Sequence, residues 1–207
     1  MSKKTYAQSV GEAIREEMTK DESVIIFGED LAEHGGIFQV TKDLLNDFGE
    51  YRVMNTPIAE TAIIGAAIGA AVRGFKPIAE IMYGDFSLVA FHEIYHMVGK
   101  WRFMHGEEFN LPLVIRTAQG SSYGAACEHS NTVESLYMHS PGLTIITPAN
   151  AYDAKGLLKS AIQSKNPVLF LGHKQLYKEK MEVPDEEYTI PIGVADVKRE
   201  GNDVTVV

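Results

Sequence analysis

Short apolar segments alternate with amphipathic segments along most of this chain, and this alternation constrains the fold more than any other feature. Apolar residues recur at helical spacing over 6–18, 40–48 and 151–162, and Thr5 with Gln8 predicts a capping box for the first helix. Alternating strands and helices imply right-handed crossovers. The sequence therefore predicts an α/β fold with a doubly wound, mostly parallel sheet and helices on both faces. The predicted buried strands are 24–27, 78–82, 113–116, 143–146 and 168–171.

Charge and hydropathy exclude several classes of protein. The 207 residues contain 19 Lys and Arg against 28 Asp and Glu, a net charge of −9, which argues against general binding to nucleic acid or to anionic membranes. The longest apolar run, residues 62–72, is too short to span a bilayer, and no apolar signal core follows the start. Cys127 is the only cysteine, so no internal disulfide exists. These features predict a cytoplasmic protein.

The composition changes near the carboxyl end. Residues 177–191 are rich in charge and contain two prolines, which predicts an exposed connector. A strand is then expected over 203–207. We therefore expect an α/β domain over residues 1–182, followed over 183–207 by a linker and the first strand of a second domain.

The motif His92-Glu93-Ile94-Tyr95-His96 has the spacing of a zinc peptidase, in which two imidazoles one helical turn apart hold zinc beside a glutamate base. The position of a third ligand holds Arg102, which cannot bind a cation. The same segment carries apolar residues at helical spacing, which favours a packing helix. The zinc peptidase is retained as an alternative.

Glu60 stands directly before an almost wholly apolar helical segment. A carboxylate beside such a dry environment suggests a functional role. The alternative is that Glu60 only stabilises the helix, because a negative charge interacts favourably with the positive N-terminal end. Gly65 and Gly69 lie one turn apart on this segment, so a backbone or a flat ligand could approach it closely. The sequence alone leaves these interpretations open.

Two loops follow predicted strands and are rich in glycine, aromatic or polar residues. They are residues 83–87 and residues 120–130, the second ending in Glu128-His129-Ser130. Parallel sheets bind ligands beyond the carboxyl ends of their strands, which makes both loops candidates for a site. Cys127 with His129 could suggest a thiol nucleophile, but side chains two residues apart in a loop tend to diverge.

Ten short motifs occur together in an order and spacing typical of one family: 28–30, 35–36, 40–42, 55–60, 65–69, 77–80, 128–130, 141–143, 153–157 and 166–168. From about Tyr6 to Val207 the chain resembles the β chain of the thiamine-diphosphate-dependent E1 component of 2-oxo acid dehydrogenase complexes. The pyruvate, branched-chain 2-oxo acid and acetoin dehydrogenases form the most similar group. The chain stops where that family's C-terminal domain begins, so a fragment of a longer β subunit is expected.

The resemblance implies a heterotetramer of two α and two β chains with thiamine diphosphate held between an α and a β chain. The α chain would bind Mg²⁺ and the diphosphate, so the isolated chain is expected to be inactive. The implied reaction is decarboxylation of a 2-oxo acid and transfer of the acyl group to lipoamide on a lipoyl-bearing E2. An acetoin dehydrogenase E1 β chain is the alternative, and a non-catalytic fragment that only assembles with an α chain is another.

The resemblance also assigns roles to residues. Glu60 would face the ring nitrogen of the aminopyrimidine and Phe86 its flat face, with Ile58 also contacting the cofactor. Glu29 resembles a second acid of a proton relay, and His129 resembles a histidine that acts on the substrate adduct or on the lipoyl group. A structural K⁺ site built from backbone carbonyls would involve Leu113, Ala161, Ile162, Ser164 and Asn166.

The chain departs from the family pattern in one loop. Glu128 stands where Gln is usual, and residues 121–123 are Ser, Ser and Tyr. These differences leave the identity of the substrate open.

Overall fold

A sheet of six parallel strands forms the centre of the protein. The structure is a computed structural model and describes residues 1–121 and 124–206. The order across the sheet is β3-β2-β4-β5-β7-β6, and a separate two-stranded antiparallel ribbon pairs β1 with β8. This architecture confirms the predicted α/β fold. The strands are β1 (Ser2–Thr5), β2 (Val24–Gly28), β3 (Val53–Asn55), β4 (Lys76–Tyr83), β5 (Val114–Gln119), β6 (Thr144–Ile146), β7 (Val168–His173) and β8 (Lys180–Val183).

Helices connect the strands on both sides of the sheet. The first begins with the predicted capping box, in which the Thr5 and Gln8 side chains each accept a hydrogen bond from the other residue's backbone N–H. Short 3₁₀ helices cover Gly84–Leu88, Ala126–Glu128 and Lys174–Lys178, and a π-helix covers His92–Val98. The α-helices are α1 (Tyr6–Lys20), α2 (Leu44–Phe48), α3 (Glu60–Val72), α4 (Trp101–His105), α5 (Glu134–Tyr137) and α6 (Ala151–Gln163).

Two hydrophobic cores lie on opposite faces of the sheet, because successive side chains of a strand point to opposite faces. In β2, Val24 and Ile26 pack into the core under α1 and α6, whereas Ile25 and Phe27 pack into the core under α3 and the π-helix. Strands buried on both faces need continuous apolar runs, which explains why the sequence pattern located them.

The structure differs from the predicted elements in the segment before β3. The helix expected from residue 40 begins only at Leu44, because Gln39 and Asp43 take left-handed backbone conformations with φ of 58° and 66°. The chain between β2 and α2 is therefore a series of turns.

The predicted connector is also wrong in its first part. Tyr177 is buried, and the segment that follows it forms β8, which pairs with β1 in the register Ser2↔Val183 to Thr5↔Lys180. A strand needs a partner for its backbone groups, and residues 203–206 pair with no other described segment, so the predicted strand does not form there. Val207 lies outside the described residues.

Within residues 1–121 and 124–206, no helix has both the length and the apolar composition that crossing a membrane requires.

Candidate active site

The parallel sheet brings the candidate residues to one edge. Glu29 follows β2, Glu60 follows β3, Phe86 follows β4, and His129 lies in the loop after β5. Because all six strands run in the same direction, these loops converge beyond the carboxyl ends of the strands, where sheets of this kind bind ligands. We call this region the crevice.

Glu60 is the first residue of α3, and its side chain is buried at 9% exposure. No hydrogen bond or ion pair to its carboxylate occurs among the residues that the structure describes. The positive end of α3 favours a negative group here, but that effect does not occupy the carboxylate oxygens. Glu60 is therefore a buried acid available to a ligand.

Glu29 lies close enough to Glu60 for the two charges to interact. Burial raises the pKa of Glu29, and the negative charges of Asp30 and Glu60 raise it further. When two carboxyl groups share a partly dry site, each negative charge disfavours ionisation of the other, so the pair binds a proton more readily than one acid alone. The structure thus brings together two of the acids singled out in the sequence.

An aromatic cluster lies in the crevice loops after β4 and β5. The His129 ring lies 4.9 Å from the Tyr83 ring and 5.2 Å from the Phe86 ring, centroid to centroid, and meets Phe86 edge-on. Tyr83 and Phe86 are 6.0 Å apart. Phe86 and His129, predicted separately from two loops, therefore belong to one cluster, which also includes Tyr83.

The loop that carries His129 is held by side chains that the sequence reasoning missed. Asp85 Oδ1 accepts hydrogen bonds from the Asn131 backbone N–H at 3.2 Å and from Asn131 Nδ2 at 2.5 Å. Lys174 Nζ donates to the His129 carbonyl oxygen. Lys174 directly follows β7, so the rule that ligand sites lie beyond strand ends could have identified it. Ser122 and Tyr123 of this loop lie outside the described residues.

A buried ion pair lies behind the crevice. Arg116 Nε donates to Glu80 Oε2 at 2.7 Å, Nη2 donates to Oε1, and Nη1 donates to the Tyr177 hydroxyl at 3.1 Å. Burial acts to lower the pKa of Arg116, but Glu80 and Tyr177 together raise it above its usual range. Gly28, which precedes Glu29, packs closely against the backbone of Glu80, since a Cβ at Gly28 would lie 2.5 Å from the Glu80 carbonyl oxygen. The pair is therefore built on a strand residue, Glu80, that lies in register with the residue before Glu29.

The remaining predicted residues lie elsewhere. Ile58 is 73% exposed on the loop before α3, so most of its surface contacts no other part of the described chain. The predicted K⁺ ligands gather at the opposite edge of the sheet, where the Leu113 carbonyl accepts the Val168 N–H at 2.9 Å and the Asn166 carbonyl accepts Ser164 Oγ at 3.0 Å. The K⁺ site stays a prediction.

His92 and His96 lie on the π-helix with their rings stacked at 5.2 Å. His96 Nδ1 is 3.4 Å from Lys100 Nζ, and Glu93 lies 3.7 Å from His92. Within residues 1–121 and 124–206, no group of three or more His, Cys, Asp or Glu side chains could hold a metal ion.

A doubly wound sheet with buried acids and aromatic rings at its carboxyl edge defines a class of cofactor-binding domain. Residues 2–180 match the family described as transketolase, pyrimidine binding domain, and the chain belongs to this family. Its curated relatives indicate a narrower group within that family. It is 45% identical over 208 residues to the 2-oxoisovalerate dehydrogenase subunit beta of Bacillus subtilis (strain 168), with 100% of this chain and 64% of that protein covered.

Two further relatives agree. The chain is 43% identical over 208 residues to the pyruvate dehydrogenase E1 component subunit beta of Staphylococcus epidermidis, covering 100% of this chain and 64% of that protein. It is 43% identical over 214 residues to the acetoin:2,6-dichlorophenolindophenol oxidoreductase subunit beta of Bacillus subtilis, covering 98% and 63%. These relatives confirm the resemblance to E1 β chains. The chain spans 64% or less of the length of these proteins.

Solved structures support the fold. A split-gene transketolase, described as an inactive beta4 tetramer, has a TM-score of 0.65 at 19% identity, covering 81% of this chain and 50% of that chain. A 2-oxoglutarate:ferredoxin oxidoreductase from Magnetococcus marinus has a TM-score of 0.65 at 16% identity, covering 91% and 32%.

Proposed function

We propose that this chain is the pyrimidine-binding β half of a thiamine-diphosphate-dependent E1 component that decarboxylates a 2-oxo acid and transfers the acyl group to lipoamide. The observation that carries the proposal is the buried Glu60 carboxylate near Glu29, with no partner in the described residues, at the same edge of the sheet as Phe86 and His129. The names of the relatives, all β subunits of 2-oxo acid or acetoin enzymes, support the same reaction class. Acetoin cleavage is the alternative within that class.

The residues of the crevice fit the pyrimidine half of thiamine diphosphate. An aminopyrimidine offers a ring nitrogen that accepts a proton and a flat face that packs against an aromatic ring. Glu60 has a free carboxylate for the first, and the half-buried Phe86 suits the second. Bound thiamine diphosphate supplies a carbanion for attack on a substrate carbonyl.

The chain's own contribution is the handling of protons. Glu60 would hold a proton at the pyrimidine ring nitrogen, and Glu29, whose pKa is raised by burial and by its acidic neighbours, would exchange protons with the same site. Helix α3 and the apolar core beneath it keep Glu60 mostly out of water, which strengthens each electrostatic contact in the crevice.

An E1 α subunit is the proposed partner, and it would bring the Mg²⁺ and diphosphate site. One face of α3 supports this assignment, because it carries small apolar residues that are exposed. Around Gly65 and Gly69, no atom from elsewhere in the described chain lies within 4 Å of the position that a Cβ would take. The exposed face consists of Ala62, Gly65, Ala66, Gly69 and Val72.

Several finer assignments remain part of the proposal. They are the α2β2 stoichiometry, the lipoyl-bearing E2, the K⁺ site and a cytoplasmic location. The division into a domain over 1–182 and a linker over 183–207 also stays a prediction, and the burial of Val183 at the end of β8 fits a boundary there.

The 207-residue chain alone is expected not to bind thiamine diphosphate stoichiometrically, because it would supply only the pyrimidine half of the site. Calorimetry should detect tight binding only after an α chain is added with Mg²⁺. The exposed face of α3 should make the isolated chain self-associate or bind an apolar dye. Tight one-to-one binding by the isolated chain, or a monomer at high concentration that binds no dye, would contradict this view.

His129→Ala in the reconstituted complex is expected to impair acyl transfer to lipoamide more than proton exchange at C2 of the cofactor. An imidazole can carry a proton near neutral pH, and general acid catalysis of this kind contributes about 10²- to 10⁴-fold. The measurement compares turnover with a lipoyl domain and with an artificial electron acceptor.

The alternative is that His129 only orders its loop by packing against Tyr83 and Phe86. Equal losses in the two assays would indicate that role. His105→Ala is the matched control, because this exposed histidine lies on α4.

A further inference from the structure

Lys174 is a buried lysine that neither the family resemblance nor the proposed chemistry uses. It is the first residue after β7, and its side chain is only 3% exposed. Lysine is rarely so buried without a partner, because removing an ammonium group from water is costly. In the described chain its Nζ forms no ion pair within 4.0 Å of a carboxylate. The contacts that stabilise the Lys174 ammonium group therefore indicate its role.

The ammonium group is held between two parts of the crevice. Nζ donates a hydrogen bond to the His129 carbonyl oxygen and lies 4.5 Å from the centroid of the Tyr83 ring. Burial lowers the pKa of Lys174, and the nearby negative charge of Asp85 opposes that effect. Tyr83 in turn packs against the His129 ring. The lysine thus contacts both the backbone of His129 and the aromatic ring that His129 packs against.

A second contact, two residues further along, holds the same segment, residues 124–131, which we call the His129 loop. Asp85 accepts two hydrogen bonds from Asn131, and the Asn131 carbonyl accepts the Gly120 N–H at 2.9 Å. Asp85 is 9% exposed, and its Oδ2 is buried with no hydrogen-bond partner in the described residues. The carboxyl end of the loop is therefore held by a buried cation at His129 and a buried anion at Asn131.

We propose that Lys174 is a positioning residue that holds the His129 loop against Tyr83, so that the imidazole stays in the crevice. Asp85 holds Asn131 at the carboxyl end of the loop, and Lys174 holds His129, two residues before it. The consequence for acyl transfer rests on the proposed function, whereas the hold on the loop does not.

Lys174→Met tests the hold directly, because methionine keeps an apolar stem over Tyr83 but cannot donate to the His129 carbonyl. In the 207-residue chain we expect the backbone amides of Gly120 and Asn131 to exchange hydrogen about 10- to 100-fold faster, the effect of losing a hydrogen bond from a charged donor. Lys174→Arg retains a charged donor and should restore most of the protection. NMR-detected exchange measures each amide separately.

Two controls separate loosening of the loop from general unfolding. Lys180→Met makes the same substitution at an exposed lysine and should leave both amides unchanged. The backbone amides within β5 and β7 report global stability. If Lys174→Met only destabilised the whole fold, their hydrogen exchange would accelerate as much as that of Gly120 and Asn131. Unchanged exchange of Gly120 and Asn131 in Lys174→Met, or equal acceleration throughout the sheet, would overturn the proposal.

The functional consequence is measured in the reconstituted complex. Lys174→Met should reduce turnover with a lipoyl domain at least tenfold more than it reduces C2 proton exchange, and Lys174→Arg should recover part of this loss. Equal losses in both measurements would overturn the link between the loop and transfer. A wild-type complex with no activity would contradict the proposed function, and the exchange result on the chain itself would still decide whether Lys174 holds the loop.

Discussion

Glu60→Gln is expected to slow proton exchange at C2 of bound thiamine diphosphate by about 10²- to 10⁴-fold in the reconstituted complex, the range found when acid-base catalysis is lost. Glutamine keeps the shape of the side chain at the start of α3 but cannot give or take the proton. Cofactor affinity should fall much less, since the diphosphate half of the site is unchanged. Hydrogen-deuterium exchange of the bound cofactor measures the effect directly.

Glu50→Gln is the matched control, because this glutamate is exposed and precedes β3, whereas Glu60 and the crevice lie beyond the carboxyl end of that strand. A second measurement needs no cofactor. The negative charge of Glu60 is one of the causes that raise the pKa of Glu29, after burial and Asp30, so the Glu60→Gln substitution should lower the pKa of Glu29. If C2 exchange and the titration of Glu29 were both unchanged, Glu60 would lose its assigned role.

Arg116→Met is expected to lower the free energy of unfolding by about 3–5 kcal/mol, because it leaves the Glu80 carboxylate buried without its counter-ion. The Tyr177 hydroxyl would lose its donor as well. Urea denaturation of the 207-residue chain measures the loss, and Arg73→Met, at an exposed arginine, is the control.

The double variant Glu80→Leu with Arg116→Met tests the cause of that loss. Replacing both members of a buried pair by apolar groups is often neutral, so the double variant should be more stable than the Arg116→Met single variant. A single variant that loses less than about 1 kcal/mol would mean that the pair is not a strong support for the sheet. A double variant that is less stable than the single one would mean that the unpaired Glu80 charge is not the cause of the loss.

The parallel sheet was largely predictable because its central strands are buried on both faces and appear as continuous apolar runs. Strand β3 was missed because it has three residues, of which only Val53 is buried. Strands β1 and β8 were missed for another reason. Their sequences, Ser-Lys-Lys-Thr and Lys-Met-Glu-Val, have no apolar run, and each is a strand only because the other pairs with it.

The candidate site was predictable where a residue follows a strand and has distinctive chemistry. Phe86 and His129 meet both conditions, whereas Glu60 was singled out by the apolar helix that it precedes. The order of the strands brings all three to one edge. Arg116 was predicted only as part of the buried strand 113–116. A charged side chain within a buried strand indicates a buried partner, which the structure shows to be Glu80. Lys174 also follows a strand and so was a possible candidate, but a lysine there is normally solvated, and its burial becomes visible only from the tertiary contacts.

The pairing of β1 with β8 has a consequence for the order of folding. During synthesis the first strand emerges long before its partner, so Ser2–Thr5 must wait until all six strands of the parallel sheet have been made. Contacts between residues so distant in sequence form slowly, because a long loop must close first. The ribbon is therefore expected to form late and to close the domain only after the residues between its two strands are in place.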